Sequence, residues 1–142
     1  MIRLRSDVER KRIAGLASSA ASGSGIEEGL YSQEMSHRTY AYLGKLAENL
    51  LAAGWPVIVD AAFLARWQRN LMRETALRQQ AIFRILDIEV EHAVLRERIA
   101  QRIEQWQDAS EADLRVLQRQ IDTAEPLSAD ERNELIKPDK TE

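Results

Sequence analysis

The chain has 142 residues, of which 44% are hydrophobic and 30% charged, and carries a formal charge of -3. That length suits one domain burying about two-thirds of its unfolded surface. The composition excludes a disordered chain, the acidic balance argues against a broad nucleic-acid footprint, and no apolar run reaches the roughly 18 residues of a spanning helix.

Cysteine is absent, which removes disulfide and thiolate chemistry and fits a reducing cytoplasm. No secretory signal opens the chain, so the expected location is cytoplasmic, with no membrane partner. His37 and His92 are too few and too far apart for a histidine metal site.

Met1 to Arg5 alternate Ile2 and Leu4 with Arg3 and Arg5, predicting a short strand. Asp7 is expected as the N-cap of a short helix that carries Arg10, Lys11 and Arg12 and ends near Gly15. Residues Ala17 to Gly29 are small, polar and Gly-rich, the composition of a mobile loop. A long helix is predicted from Gln33 to Ala53, with Met35, Thr39, Tyr42, Leu46, Leu50 and Ala53 as its apolar stripe. Gly54 should end it as the C′ residue, and Pro56 prevents its continuation.

The stretch Gly54-Trp55-Pro56-Val57-Ile58-Val59-Asp60 organises the rest. Three β-branched residues without polar alternation read as a strand, Val57 to Asp60, buried on both faces. A second long helix is expected from Leu64 to Gln79, with Leu64, Trp67, Leu71 and Thr75 on one side and arginines on the other. Ala81 to Asp87 is a third strand candidate, interrupted by Arg84. From Val90 to Trp106 the pattern is helical again, with Leu95, Ile99, Ile103 and Trp106 sharing a face. Ser110 with Asp113 opens another helix and Ser128 with Glu131 a last short one, each in the manner of a capping box. Lys137 to Glu142 form a polar tail, and no final strand is evident after Glu125. Alternating strands and helices predict a small parallel sheet flanked by helices, with a mostly helical domain as the alternative.

Several residues could carry chemistry. Asp7 and Arg10 form a D-x-x-R pair after a strand, in which the carboxylate could take a hydroxyl proton and the guanidinium hold a phosphate. An N-cap with an exposed ion pair explains the same spacing. Asp60 ends a strand where open α/β sheets bind ligands or Mg²⁺, although a structural bond to a neighbouring loop would also place it there. Arg98 and Arg102 share a helix face and suit a phosphate clamp, or a solvated face paired with Glu97 and Glu104. Arg66, Arg69 and Arg73 are equally open. The Ser22-Gly23-Ser24-Gly25 run lacks a following Lys-Ser or Lys-Thr and is not a phosphate loop. Trp55, Trp67 and Trp106 read as packing rather than a base-stacking platform.

The blocks IRLRSDVERKR, TYAYLGKLAENLLAAGWPVIVDAAFL and LRERIAQR, in that order, resemble P-loop kinase-like ATP-binding domains. These include domains fused behind aminoglycoside-phosphotransferase-like domains and, more distantly, the kinase part of polynucleotide kinase, gluconate kinase and the zeta toxins. The resemblance spans residues 1 to 125. It implies an α/β, helix-rich, three-layer P-loop NTPase-like fold in a single domain over residues 1 to 142, with a lid near 96–112.

It further implies catalytic roles for Asp7 on an acceptor hydroxyl and for Asp60 beside Mg²⁺. Substrate or phosphate binding falls to Arg10 and Arg69, and the lid arginines are Arg98 and Arg102. Ala62 stands where the family often has Thr. The departure lies at the front, because a first strand and G-x-x-x-x-G-K-[ST] would precede Met1 and no such motif occurs in the 142 residues. The expected reading is therefore an incomplete, truncated domain with the acceptor and lid portion of a small-molecule or nucleotide kinase. ATP and Mg²⁺ belong to the complete family domain, and tight binding by this chain alone is not expected. The alternative is a non-catalytic interaction module that self-associates or pairs with another chain, including a missing N-terminal segment.

Overall fold

The computed structural model describes residues 1–15, 33–88, 92–106, 118–119 and 121–136, without the side chains of residues 92, 99 and 102–106. The chain divides into two compact units, Met1–Ile82 and Phe83–Glu142.

In the first unit, β1 (Ile2–Arg5) pairs in parallel with β2 (Val57–Asp60), in the register Ile2↔Val57, Arg3↔Ile58, Leu4↔Val59 and Arg5↔Asp60. The connection runs through α1 (Ser6–Ile13) and α2 (Gln33–Ala52). The alternation expected of a half-covered strand is seen in β1, where Leu4 is buried and Arg3 and Arg5 face out. The result is helix-rich α/β, a short parallel sheet flanked by helices, as the patterning predicts.

The expectation that β2 is buried on both faces does not hold. Val57 and Val59 are half-buried, whereas Ile58 is 47% exposed and Asp60 is exposed. Strand parity explains this: Ile58 and Asp60 share the open face with Arg3 and Arg5, and a two-stranded sheet has too little area to be covered on both sides.

Helix α2 ends as the sequence predicts. Gly54 has φ +86°, its N–H donates to the Leu51 carbonyl at 2.9 Å, and the Trp55 N–H reaches the Leu50 carbonyl at 3.0 Å. These two bonds are a Schellman motif. The buried stripe, however, is Thr39, Tyr40, Leu43, Gly44 and Ala47, one step round from the predicted one, and Tyr42 is exposed. The core therefore runs through Leu43, Tyr40 and Ala47 with Met72 and Ala76.

Met72 and Ala76 belong to α3 (Arg66–Arg78), whose buried side also includes Gln68, Arg69 and Thr75. The buried side is thus rotated from the predicted stripe of Leu64, Trp67, Leu71 and Thr75, and takes in Arg69, predicted on the other side, because its guanidinium has a carbonyl to bond. Gln68 Oε1 accepts from the Ala65 N–H at 3.1 Å, half of a capping box that Ala65 has no side-chain oxygen to complete.

In the second unit the third strand candidate is reduced to one parallel bridge, Ile85↔Leu135. The Ile85 N–H donates to the Glu134 carbonyl at 2.9 Å and the Ile136 N–H to the Ile85 carbonyl at 2.8 Å. Residues 134–136 therefore pair where no strand is evident from the sequence. Helix α4 (His92–Trp106) is present as predicted. So is the capping box before α5 (Ala129–Arg132), with Ser128 Oγ accepting from the Glu131 N–H at 3.3 Å and Glu131 Oε1 from the Ser128 N–H at 3.1 Å. The 17–29 loop, the Ser110–Asp113 box, the apolar face formed by Ile99, Ile103 and Trp106, and the tail after Ile136 lie outside the described residues.

Candidate functional site

A parallel pair puts the C-terminal ends of both strands on one side. Asp60 is the last residue of β2, opposite Arg5, and Asp7 lies two residues beyond Arg5 in the first turn of α1. The two acidic residues singled out from the sequence therefore emerge at the same end of the sheet.

Asp7 is not the N-cap. Arg5 occupies that position and offers no side-chain cap, and Asp7 sits in the first turn, where a carboxylate is favoured by the positive end of the helix dipole. Its Oδ2 accepts from Arg5 Nη2 at 2.7 Å. The D-x-x-R pair accordingly does not close on itself. Arg10 is buried, only 8% exposed, and donates to Ser36 Oγ of α2 at 3.3 Å.

Asp60 is held by Arg3. Both Nε, at 3.0 Å, and Nη2 of Arg3 donate to the same oxygen, Oδ2. Both side chains are largely solvated, at 62% and 46% exposure, so the pair orients the carboxylate more than it stabilises the fold. Nothing in the sequence motif flags Arg3, but strand parity together with the parallel register would find it.

The loop leaving Asp60 is fixed by side chains. Phe63 has φ +45°, a left-handed backbone that is costly for a bulky residue. Its N–H donates to Tyr40 Oη at 3.3 Å, and its carbonyl accepts from Arg69 Nη1 at 2.8 Å. The Tyr40 and Phe63 rings meet edge-on at 5.5 Å. Tyr40 and Arg69 are 3% and 4% exposed. Burial pushes the Tyr40 phenol above its ordinary value, partly opposed by the Phe63 hydrogen bond and the nearby Arg10 charge. Sequence reading misses Tyr40 and Phe63, since neither belongs to a charged or metal-binding pattern.

Beside this lies an open groove of about 440 Å³ lined by His37, Ala41, Trp67, Asn70, Leu71 and Glu74. His37 stacks on Trp67 with ring centroids 4.1 Å apart, and Tyr40 meets Trp67 edge-on. Arg66 is exposed, and Arg73 Nη1 donates to Asn70 Oδ1 at 2.8 Å.

Arg98 is exposed on α4 in the second unit, and the Arg102 side chain lies outside the described residues. Among the described residues, no group of three or more His, Asp or Glu could hold a metal ion.

A family model described as AAA domain matches residues 1–127. The chain belongs to this AAA domain family. No curated protein and no solved structure matches it. The match makes this AAA domain P-loop NTPase-like, of the nucleotide-binding, kinase type, in agreement with its helix-rich α/β architecture and parallel sheet. Among the described residues of the AAA domain, no helix is long and apolar enough to cross a membrane.

ATP and Mg²⁺ go with that family, and the donor chemistry can be compared with them. Mg²⁺ takes one or two carboxylates and completes its shell with phosphate oxygens and water. Asp60 keeps Oδ1 clear of its bond to Arg3, which fits a single protein ligand for an ion arriving on phosphates, not a cage for a bare ion.

Proposed function

We propose that the chain forms the acceptor and lid portion of an ATP-dependent kinase-type phosphotransferase acting on a small molecule or nucleotide. The observation that carries this reading is the parallel register, which brings Asp7 and Asp60 out at one end of the sheet. Open α/β sheets bind ligands at that end.

In this reading Asp7 accepts the proton of the acceptor hydroxyl, and Asp60 Oδ1 holds the Mg²⁺ that accompanies the phosphates. The ion, when bound, supplies charge neutralisation at the transferring phosphoryl group. Arg10 frames the acceptor side from between α1 and α2, and Arg98 and Arg102 keep the phosphate-binding role that the resemblance implies. No G-x-x-x-x-G-K-[ST] occurs in the 142 residues. In this reading these 142 residues do not supply the backbone cradle and lysine that hold β- and γ-phosphates, and the chain alone binds nucleotide weakly and does not turn it over.

Titration of the chain with Mn²⁺–ATP, followed by the relaxation of water protons, tests the site. Weak binding lost in Asp60→Asn is the expected result, and identical titrations for the two proteins reject it. Hydrolysis of ATP above a heat-killed control, abolished by Asp60→Ala, would reject the claim that the chain alone is inactive.

A second reading, association with another copy, has the exposure of Ile58 on the open sheet face behind it, 47%. A monodisperse monomer in sedimentation at micromolar concentration would rule it out.

A further inference from the structure

Arg69 is expected from the resemblance to touch substrate or phosphate, yet its guanidinium is buried and donates to the protein's own backbone. The carbonyl it reaches belongs to Phe63, three residues beyond Asp60, and the N–H of that same residue is taken by Tyr40. Two side chains from two helices thus satisfy both backbone groups of a single residue. That residue holds a left-handed φ of +45° without being Gly or Asn. Such a conformation persists only where its surroundings over-determine it.

We infer that Tyr40 and Arg69 are positioning residues that set Asp60 through the turn at Phe63, and that Arg69 does not contact the ligand. The inference rests on the proposed function only for the role of Asp60.

The chain between Asp60 and α3 is short, so the Phe63 conformation fixes where β2 must end and how the Asp60 carboxylate meets Arg3. Tyr40 belongs to the buried stripe of α2 and Arg69 to that of α3. The packing of these two helices is in this way transmitted to the strand tip. An arginine suits the task because its planar, permanently charged fork gives a strong bond to a carbonyl while its stem fills apolar space.

Nuclear magnetic resonance on the labelled full chain without ligand provides the test. Tyr40→Phe keeps the ring and removes only the acceptor for the Phe63 N–H. We expect the Phe63 amide to exchange about tenfold faster and the Asp60 carboxyl carbon resonance to move. The Leu43 and Met72 amides should quicken no more than the change in unfolding stability accounts for. Arg69→Lys should retain more Phe63 protection than Arg69→Met, since it keeps a donor.

An unchanged Phe63 amide in Tyr40→Phe overturns the inference, as does faster exchange with an unmoved Asp60 resonance. Uniformly faster exchange across α2 and α3 would mean a purely structural role and overturn it too. The Mn²⁺–ATP titration of Asp60→Asn separates the two readings. If it matches wild type, Asp60 loses its ligand role while the control of its position by Phe63 still stands or falls on the resonance data.

Discussion

Arg3 reaches diagonally across the parallel pair to hold Asp60, while Arg5, which stands directly opposite Asp60, turns instead to Asp7. Each acidic residue at the strand ends therefore has its own arginine from β1. Both pairs are solvated, and exposed pairs contribute between nothing and about 1 kcal/mol. Asp60→Asn and Arg3→Gln should each lower the unfolding free energy by less than about 1 kcal/mol in urea titrations. A larger loss would make the pair structural and weaken the case that Asp60 is reserved for a ligand.

Much of this arrangement is legible in the residues. The βαβ order, the stop at Gly54 and Pro56, the strand ending at Asp60 and the Ser128–Glu131 box each depend on local rules that one segment can satisfy alone. What depends on partners is not. The stripe of α2 is rotated because Gly44, which carries no apolar side chain for a pattern to register, lies against Leu71 and Thr75 of α3, while Tyr42 is exposed. Arg69 reads as either a solvated or a phosphate-binding arginine because arginine is rarely buried, a rule that a bond to the Phe63 carbonyl overrides. The strand expected over 81–87 reduces to one bridge because a short apolar run interrupted by Arg84 marks a possible strand without supplying the partner a ladder needs.

Gly54→Ala should destabilise the chain by about 1 kcal/mol, because a Cβ at φ +86° opposes the left-handed cap. There is no steric contribution, since a Cβ built at this position meets nothing within 4 Å. The change should appear as a lower urea midpoint with an unaltered slope.

Gly44→Ala should act in the opposite direction. Its Cβ would lie 3.7 Å from Leu71 Cγ and 3.7 Å from Thr75 Oγ1, ordinary van der Waals separations. The helix gains roughly 0.5–1 kcal/mol from the better residue. A higher melting temperature is expected, and a lower one would show that α2 and α3 need to approach more closely than this packing requires.

Glu48 ties α2 to α3. Its hydrogen bond to Lys45 holds its carboxyl below the usual carboxylate range, with Arg78 from α3 adding to the effect. A depressed folded value means the contribution is present above the unfolded value of about 4.3 and is lost as pH falls through the folded one. The acid limb of the stability profile should therefore be shallower in Glu48→Gln than in wild type. Coincident limbs between about pH 5 and 2 would reject the coupling.

Tyr40 governs the alkaline limb with the opposite sign. Burial raises its phenol above the ordinary value, so the neutral form is the one the folded chain prefers. That contribution is complete below the unfolded value of about 10 and disappears as pH rises through the folded one. At neutral pH, Tyr40→Phe removes the acceptor for the Phe63 N–H and should cost about 1 kcal/mol. Above about pH 10 the wild-type protein bears an increasing penalty for ionising a buried phenol or keeping it protonated, whereas phenylalanine bears none. The two stability curves should converge as pH rises, measured as urea midpoints every half unit from about pH 8 upward. A constant gap across that range would mean that the Tyr40 hydroxyl is solvated, and would remove it from the clamp on Phe63.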